Sequence, residues 1–228
     1  RFEVGEPIVE STRDTPLAEI RPDTLAKISG GWQQRKSAEM RIVILEATVE
    51  CLVAHGYAGL STQQVTKRAG VSRGAMHHHF ASKMHLVSAV AEYIFFKRVE
   101  RFLADFEAAT LVDDGAVTER ATELYWQSVQ TREYAAYLEL AIAARSDEEL
   151  NRTFLPAAQR YDRVWSEEMV KAFPQWEGRW HKLRLASDFA AAAHMGVLLA
   201  QPVLGRRRVG ALLDLVVQVV KRLHAEFE

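Results

Sequence analysis

The sequence predicts an all-α protein, and two observations support this fold class. From Ser37 onward, apolar residues recur at intervals of three and four, which is the spacing of one face of a helix. No segment alternates apolar and polar residues for long enough to form a strand. The pattern divides the chain into an extended amino-terminal arm, residues 1–34, and about nine helices that follow it.

Composition restricts the class of protein further. The chain has 228 residues, of which 48% are hydrophobic and 26% charged, which suits one or two globular domains. The longest apolar runs, such as residues 190–193, are far shorter than the ~20 residues of a membrane span. No amino-terminal segment resembles an export signal, so we expect a cytoplasmic protein without a membrane partner. Cys51 is the single cysteine, which excludes an internal disulfide and multi-cysteine zinc sites.

Charge is unevenly distributed along the chain. Residues 35–83 contain seven Lys or Arg against three acids, a balance of +4, whereas the whole chain carries −1. The remainder of the chain therefore carries −5. This asymmetry predicts that only the amino-terminal third contacts a polyanion such as nucleic acid.

The first elements follow from local signals. The arm contains three of the six prolines and little periodicity, with one candidate short helix at residues 22–29. A first long helix should begin near Ser37 and end near Gly56. Its apolar face is formed by Ile42, Leu45, Val49 and Leu52.

Two short helices are predicted next, joined by a tight turn. Ser61 and Gln64 form a capping box that starts the first of them, and Gly70 ends it in the left-handed conformation. Ser72 can cap the second, which begins at Arg73. Two such helices behind a longer amphipathic one are typical of a helix-turn-helix, in which the second is the recognition helix.

Three consecutive histidines, residues 77–79, lie on this second helix. At 100° per residue, Arg73, Gly74, His77 and His78 span an arc of about 140°, whereas Met76 faces the core. Consecutive histidines diverge, and none of the three has a histidine or acid four residues away. We therefore predict contact with a nucleic-acid groove and its phosphates rather than a metal site.

The stretch LSTQQVTKRAGVSRGAMHHHFASKMHLVSAV resembles the signature of TetR-family transcriptional regulators. The resemblance is strong over about residues 37–90, and it departs at His77, where the family commonly has tyrosine. It implies a helix-turn-helix DNA-binding domain at residues 35–88 and a ligand-binding and dimerisation domain at residues 89–228. The matching residues are Ala69, Gly70, Val71, Ser72, Gly74, Met76, His79, Phe80, Ser82, Lys83 and Leu86.

Roles on DNA follow from side-chain chemistry. Arg73 is the first candidate for base readout, because a guanidinium at the front of a recognition helix can bond guanine bidentately. Gly74 would let the backbone approach DNA, and Lys83 at the start of the next helix favours a phosphate. Ala75 is either a contact to a thymine methyl or a helix-forming residue. The candidate DNA-binding residues are Thr62, Gln63, Ser72, Arg73, Gly74, Ala75, His77, His78, His79 and Lys83.

Aromatic and polar residues interleave on the later helices, as they do in small-molecule sites. Each aromatic residue could equally be part of the core, and His194 is either a core histidine or a hydrogen-bond partner of a ligand. The expected effector is a small aromatic or amphipathic organic molecule. The candidate ligand-binding residues are Phe102, Phe106, Trp126, Gln127, Gln130, Tyr161, Trp165, Phe189 and His194.

The last two predicted helices, residues 179–201 and 209–227, suggest a subunit interface. The first has a face of small residues, and the second has an apolar stripe. In the resembling family two such helices from each subunit form the dimer, which implies a palindromic operator with half-sites ~34–36 Å apart. The residues concerned are Ala186, Ala190, Ala193, Val197 and Ala200 on the first helix, and Val209, Leu212, Val216, Val219 and Leu223 on the second.

The predicted function is therefore a dimeric repressor that a small effector releases from its operator. A ligand-independent architectural DNA-binding protein and a TetR-like activator remain alternatives. We do not expect an enzyme, because no Glu-x-x-His spacing recurs on inward faces as it does in helical metalloenzymes. No cofactor or metal is expected.

Overall fold

The computed structural model of the chain describes residues 15–26, 31–110, 117–173 and 176–226. Regular structure in these ranges is helical throughout, which confirms the all-α fold class. Because the last helix is interrupted at Gly205, nine helical segments follow the arm, close to the predicted number. The helices of the described ranges are α1 (Pro16–Glu19), α2 (Asp23–Ala26), α3 (Trp32–Gly59), α4 (Thr62–Ala69), α5 (Arg73–His79), α6 (Lys83–Thr110), α7 (Val117–Val129), α8 (Arg132–Ala143), α9 (Glu148–Ala172) and α10 (Trp180–Glu226).

Helix α3 begins earlier than its apolar pattern indicates. It starts at Trp32, directly after the N-cap Gly31, rather than near Ser37. Its first residues are exposed on every side, so they leave no apolar periodicity to detect. The predicted end is confirmed, since Gly56 has φ 68° and interrupts the helical backbone.

The caps of α4 and α5 lie where the sequence predicts them. The Ser61 hydroxyl accepts from the Gln64 amide at 3.3 Å, and the Gln64 side chain accepts from the Ser61 amide at 3.0 Å. Gly70 ends α4 with φ 67°. The Ser72 hydroxyl accepts from the Ala75 amide at 3.1 Å and starts α5. The helix-turn-helix is therefore fixed by side chains within a few residues of each turn.

One continuous core joins the head, α3–α5, to the rest of the chain, which we call the body. Met76 of α5 and Phe80 are fully buried in it, together with Val49 of α3. The same cluster extends through α6 to Phe95 and onward to Phe154 of α9. The domain boundary expected at residue 88 falls inside α6, so this helix belongs to both parts.

The arm is not extended in the part that the structure describes. Helix α1 lies on α9, where the Leu17 amide donates to the buried Glu168 carboxylate at 2.7 Å. Helix α2 lies on α3 and occupies the first half of the helix predicted at residues 22–29. Residues 1–14 and 27–30 lie outside the described ranges. The arm folds because tertiary contacts stabilise two helices that are too short to form alone.

The two halves of α10 pack against each other across the break at Gly205, which has φ 70°. Ala186 and Ala190 of the first half form a buried cluster with Val216 and Val220 of the second. The face of small residues predicted for the subunit interface is therefore internal, and that prediction is corrected. Small side chains on this face let the second half of the same chain approach closely. Phe227, the predicted last helical residue, lies outside the described ranges.

Two helices, α3 and α10, are long and apolar enough to cross a membrane, judged by length and composition alone. Uninterrupted apolar runs do not reveal them, because polar residues are spaced along both helices. In α3 the apolar face is buried in the core around Ile44 and Leu52. In α10 the break at Gly205 is followed directly by three exposed arginines, residues 206–208.

Candidate nucleic-acid interface and effector cavity

Helix α5 presents a basic surface without acids. Residues 51–91 contain no acidic residue. Glu46 and Glu50 of α3 are ion-paired with Arg132 and Arg68. The predicted arc is confirmed as a surface: Ser72, Arg73, Gly74, His77 and His78 are exposed, and Ala75 and His79 are half-buried.

Arg73 and Gly74 lie at the outer edge of this surface. Arg73 is the first residue of α5, and its exposed side chain forms no ion pair with the described residues. A Cβ added at Gly74 would meet nothing closer than the Ser72 hydroxyl at 3.9 Å. Glycine is a weaker helix former than alanine, and no neighbour among the described residues requires it here. The absence of a side chain at residue 74 therefore suits the close approach of another molecule.

Two further helix starts border the same surface. The Ser82 hydroxyl accepts from the His85 amide at 3.0 Å and caps α6. The ammonium of Lys83 lies 4.8 Å from the centre of the Tyr57 ring, which holds it beside this helix start. At the start of α4, Thr62 is half-buried and Gln63 is exposed. Free amides at helix starts, together with a lysine, favour phosphate groups.

The base of the recognition helix is held by Arg41 of α3. Its guanidinium donates to the carbonyl of His79 at 2.7 Å and to the Thr24 hydroxyl at 3.0 Å. The guanidinium carbon also lies 4.5 Å from the centre of the Phe80 ring. Arg41 is thus an internal clamp between the arm, α3 and α5.

The three histidines occupy different environments. His77 and His78 are exposed, whereas burial, His78 and Arg41 lower the pKa of the half-buried His79 imidazole. Across the described ranges, no three His, Cys, Asp or Glu side chains come together in a group that could hold a metal ion. The neutral state favoured for His79 suits its place between the exposed surface and the scaffold.

A cavity of about 300 Å³ opens in the body between α6, α7, α8, α9 and the first half of α10. We call it the arginine cavity, because Arg98 of α6 lines it. Tyrosine rings surround the guanidinium, and alanines of α10 form the opposite wall. Its lining residues are Arg98, Tyr125, Tyr134, Tyr137, Tyr161, Asp162, Trp165, Ser187, Asp188, Ala191, Ala192 and Met195.

A smaller cleft lies next to the arginine cavity. It has a volume of about 60 Å³ and is lined mainly by aromatic and aliphatic side chains, among them Phe102, Trp176 and Trp180. Trp165 and Tyr125 line both spaces and separate them. An apolar cleft beside a cavity with one cation suits a ligand that has an apolar body and a polar end.

Only three of the nine predicted ligand residues line these spaces: Phe102, Tyr161 and Trp165. Phe106 is buried in the core behind Phe102. Gln127 and Gln130 are exposed, because they lie on the outer face of α7. Trp126 packs against His194, outside both spaces.

His194 is a buried core residue with an exposed fraction of 1%. Its ring lies between Tyr125 and Trp126, 5.7 Å from each ring centre. Burial lowers the pKa of His194 to about 4, and the Ala190 carbonyl offsets this only in part. The imidazole is therefore neutral at pH 7. Its Nδ1 atom has no hydrogen-bond partner among the residues that the structure describes, although His194 lines neither the arginine cavity nor the cleft.

The sequence interpretation missed Arg98, the central residue of the cavity. The signal was present in its spacing, since Phe95 and Phe102 precede and follow it by three and four residues. All three residues therefore lie on the same face of α6. That face is buried, so a cation placed on it must be enclosed by the body.

Phe189 lies on a surface stripe rather than in a cavity. Five other residues share this face of the first half of α10, at intervals of three and four. We call the set the α10 stripe, and all six members are exposed: Leu185, Phe189, Ala192, Gly196, Leu199 and Val203. An apolar stripe with small residues at its centre suits close packing against another helix.

Comparisons with known proteins agree with this geometry. A family model described as bacterial regulatory proteins, tetR family, matches residues 44–90. An uncharacterized HTH-type transcriptional regulator of Mycobacterium tuberculosis is 27% identical over 189 residues, 81% of this chain and 96% of that protein. The HTH-type transcriptional repressor AcnR of Corynebacterium glutamicum is 39% identical over 56 residues, 25% of this chain and 30% of AcnR.

A comparison of folds agrees with the comparison of sequences. A solved structure of a TetR-family member from Streptomyces coelicolor superposes with a TM-score of 0.58 at 21% identity. The match covers 81% of this chain and 98% of that structure. The capped helix-turn-helix, the helical body behind it and these matches agree: residues 44–90 match the tetR family of bacterial regulatory proteins, and most of the chain is similar to an HTH-type transcriptional regulator and to the fold of a TetR-family member.

Proposed function

We propose that this protein is a cytoplasmic, dimeric repressor that a small organic effector releases from a palindromic operator. The main supporting observation is the exposed, acid-free surface of α5, on which Arg73 and Gly74 lie at the outer edge. Arg73 reads a base, whereas Thr62, Gln63, Ser72 and Lys83 bind phosphates. His77 and His78 contact the groove edge, and Ala75 and His79 lie at its border.

Dimerisation follows from the α10 stripe. Val203 is 84% exposed and Leu199 is 57% exposed, both on the first half of α10, whose other face packs against the second half. Two copies of the stripe, related by a two-fold axis, would bury these residues against each other. The same symmetry would present two α5 helices to successive major grooves, ~34–36 Å apart.

Helix α6 provides the connection between effector and DNA. It is a single helix from Lys83, beside the DNA surface, to Thr110, and Arg98 lies in the cavity fifteen residues after Lys83. At 1.5 Å per residue, the two sites are about 22 Å apart along one rigid element. In the proposed dimer, a tilt of α6 changes the distance between the heads of the two subunits. An effector that binds better to the tilted state therefore shifts the dimer away from the distance that fits DNA. The size of that shift cannot exceed the difference in affinity for the two states.

The DNA assignment is tested by selecting binding sites from random duplexes with the purified protein and footprinting the best one. We expect two protected half-sites about one helical turn apart. Arg73→Ala should weaken operator binding about 5- to 150-fold and relax preference at one position, in line with ~1–3 kcal/mol for a bidentate base contact. Lys83→Ala should weaken operator and unrelated DNA alike.

The matched control is Arg101→Ala, which removes an exposed arginine of α6 far from the DNA surface. It should leave both affinity and preference unchanged. Undiminished, equally selective binding by Arg73→Ala would contradict the base-readout role. Failure of the wild-type protein to select any sequence at low salt would contradict the repressor.

A ligand-independent architectural protein is the second candidate. It would share the α5 surface but would have no use for a lined cavity of about 300 Å³. The two are separated by adding small organic acids, bases and neutral aromatics to the operator complex. Release by one class supports the repressor, whereas indifference to all of them supports the architectural protein.

A further inference from the structure

Arg98 is a buried cation that forms no salt bridge with an acid in the part of the chain that the structure describes. Its side chain reaches from α6 into the body, and the residue is only 8% exposed. In the described part of the chain, its Nη1 atom has no hydrogen-bond partner. The guanidinium carbon lies 4.7, 4.4 and 4.9 Å from the ring centres of Tyr134, Tyr137 and Tyr161. The faces of three aromatic rings therefore partly replace the water that this cation has lost.

The tyrosines do not neutralise the charge. Burial raises the pKa of Tyr134 and of Tyr161 above the ordinary value for a phenol. These groups therefore remain uncharged phenols at physiological pH. A buried guanidinium surrounded by neutral rings keeps a large electrostatic cost, which an anion with matching geometry would remove.

The arginine cavity has space for such an anion next to Arg98. Trp165 and the tyrosine rings form apolar walls, and the small side chains of Ala191 and Ala192 of α10 line the opposite side. The volume of about 300 Å³ lies at the lower end of the range for drug-sized ligands. The site thus combines a buried guanidinium, whose Nη1 atom has no hydrogen-bond partner among the described residues, with flat surfaces that suit an aromatic ring.

The charge distribution limits the anion to a single negative charge. Asp162 and Asp188 line the same cavity and would repel a dianion such as a phosphate monoester. Arg184 forms salt bridges with both aspartates, which reduces but does not reverse their effect. Within the lining, Arg98 is the single basic residue. A planar carboxylate matches one guanidinium in both charge and shape.

We propose that the arginine cavity binds an aromatic carboxylic acid, with its carboxylate on the Arg98 guanidinium and its ring between Trp165 and the tyrosines. This assignment rests on the proposed function in one respect, since it names the chemical class of the effector. The binding itself requires only the cavity. It can therefore be measured without DNA.

The test compares three acids with their primary amides on the full-length protein. The probes are benzoate, 3-phenylpropionate and 2-naphthoate, and each amide has nearly the shape of its acid but no charge. Calorimetric titration and thermal shift should show at least one acid that binds and stabilises the protein. Its amide should bind about ten- to a hundredfold more weakly, the range for a charge-assisted hydrogen bond.

Three variants locate the effect. Arg98→Met keeps the length of the side chain and removes the unpaired charge, so the variant should fold with an unchanged or higher melting temperature. It should bind acid and amide equally. Arg98→Lys retains a cation without the planar fork and should keep part of the preference. Arg101→Met alters an exposed arginine one turn further along α6 and should bind the acids as the wild type does.

Equal binding of acids and amides by the wild type would overturn the proposal, as would failure of all three acids to bind. Persistence of the acid preference in Arg98→Met would overturn it too, because the cation would then lie elsewhere. These outcomes can be distinguished from outcomes that would contradict the proposed repressor function. Release of operator DNA by neutral aromatics alone would leave the repressor intact, whereas absence of operator binding would not alter the affinities measured without DNA.

Discussion

Replacing Arg41 with methionine tests whether the base of the recognition helix is held from inside the protein. The guanidinium of Arg41 joins the arm at Thr24 to the carbonyl of His79, and it lies over the Phe80 ring. Methionine has an unbranched apolar side chain that can follow the same path. The substitution therefore removes the polar contacts with little loss of packing.

The expected magnitude follows from these contacts. The hydrogen bond to His79 has a charged donor, which is worth about 1.5–3 kcal/mol, and the position over Phe80 adds about 0.5–1 kcal/mol. The bond to Thr24 contributes less, because water can replace it at this half-buried site. We expect Arg41→Met to lower the free energy of unfolding by about 2 kcal/mol, and by no more than about 4.

Urea unfolding followed by tryptophan fluorescence at fixed protein concentration measures this change. Arg35→Met is the control, because Arg35 is exposed on the same helix and should cost less than about 0.5 kcal/mol. Operator affinity should also fall for Arg41→Met, since α5 would be held less firmly at its end. The slope of log affinity against log salt should stay unchanged, because no phosphate contact is removed.

Two results would refute this reasoning. A stability loss for Arg41→Met no larger than that for Arg35→Met would show that the internal contacts contribute nothing. A salt slope reduced by about 0.9 would show that Arg41 neutralises a phosphate instead.

Three further predictions concern the dimer interface, the pH dependence of the free energy of unfolding and the turn at Gly70. Val203→Asp should convert the dimer to monomers in sedimentation analysis without lowering the free energy of unfolding of the monomer. The control is Leu155→Asp, which alters an exposed apolar residue of α9 and should leave the dimer intact. The pKa of His194 is about 4 in the folded chain and ~6.5 when unfolded, so the unfolded state binds more protons between these values. The free energy of unfolding should therefore fall by about 2–3 kcal/mol from pH 7 to pH 4, a loss that His194→Gln should lack in urea titrations at both pH values. Gly70→Ala should lower the free energy of unfolding by about 1 kcal/mol in the same urea titrations, because φ is 67° at this residue. A Cβ there would meet no neighbour within 4 Å, so the loss would come from the backbone conformation. An unchanged urea midpoint would contradict this explanation.

The sequence was sufficient to predict helix boundaries that are determined by side chains only a few residues apart. The capping box at Ser61, the stop at Gly70 and the cap at Ser72 each depend on side chains no more than three or four positions apart. Such contacts form in the same way whatever the rest of the chain does. The exposed arc of α5 was therefore predictable residue by residue, since it follows from the register of a capped helix.

The arm and α10 depended on distant partners, which a linear pattern does not identify. Helix α1 is fixed where Leu17 meets Glu168, 151 residues later. In α10 two adjacent faces are both suitable for packing against another helix. One is the face of small residues with Ala186 and Ala190, and the other is the α10 stripe, which also contains larger residues. The helix alone cannot indicate which face meets its own chain, because that choice depends on the turn at Gly205 and on the second half that follows it.

Arg98 combines both situations, and the effector site proposed on α6 predicts a role in switching for this buried charge. Its register on a buried face is local information, but the lack of a hydrogen-bond partner for its Nη1 atom among the described residues depends on how the whole body packs. An unpaired internal cation weakens the empty state and gives an anion a large gain on binding. Since α6 also begins at the proposed DNA surface, we expect the conformation that best encloses the anion to set the orientation of that surface. Arg98→Met should therefore separate the two events, leaving operator binding intact while removing release by an aromatic acid. Release that persists in this variant would show that the coupling does not pass through the buried charge.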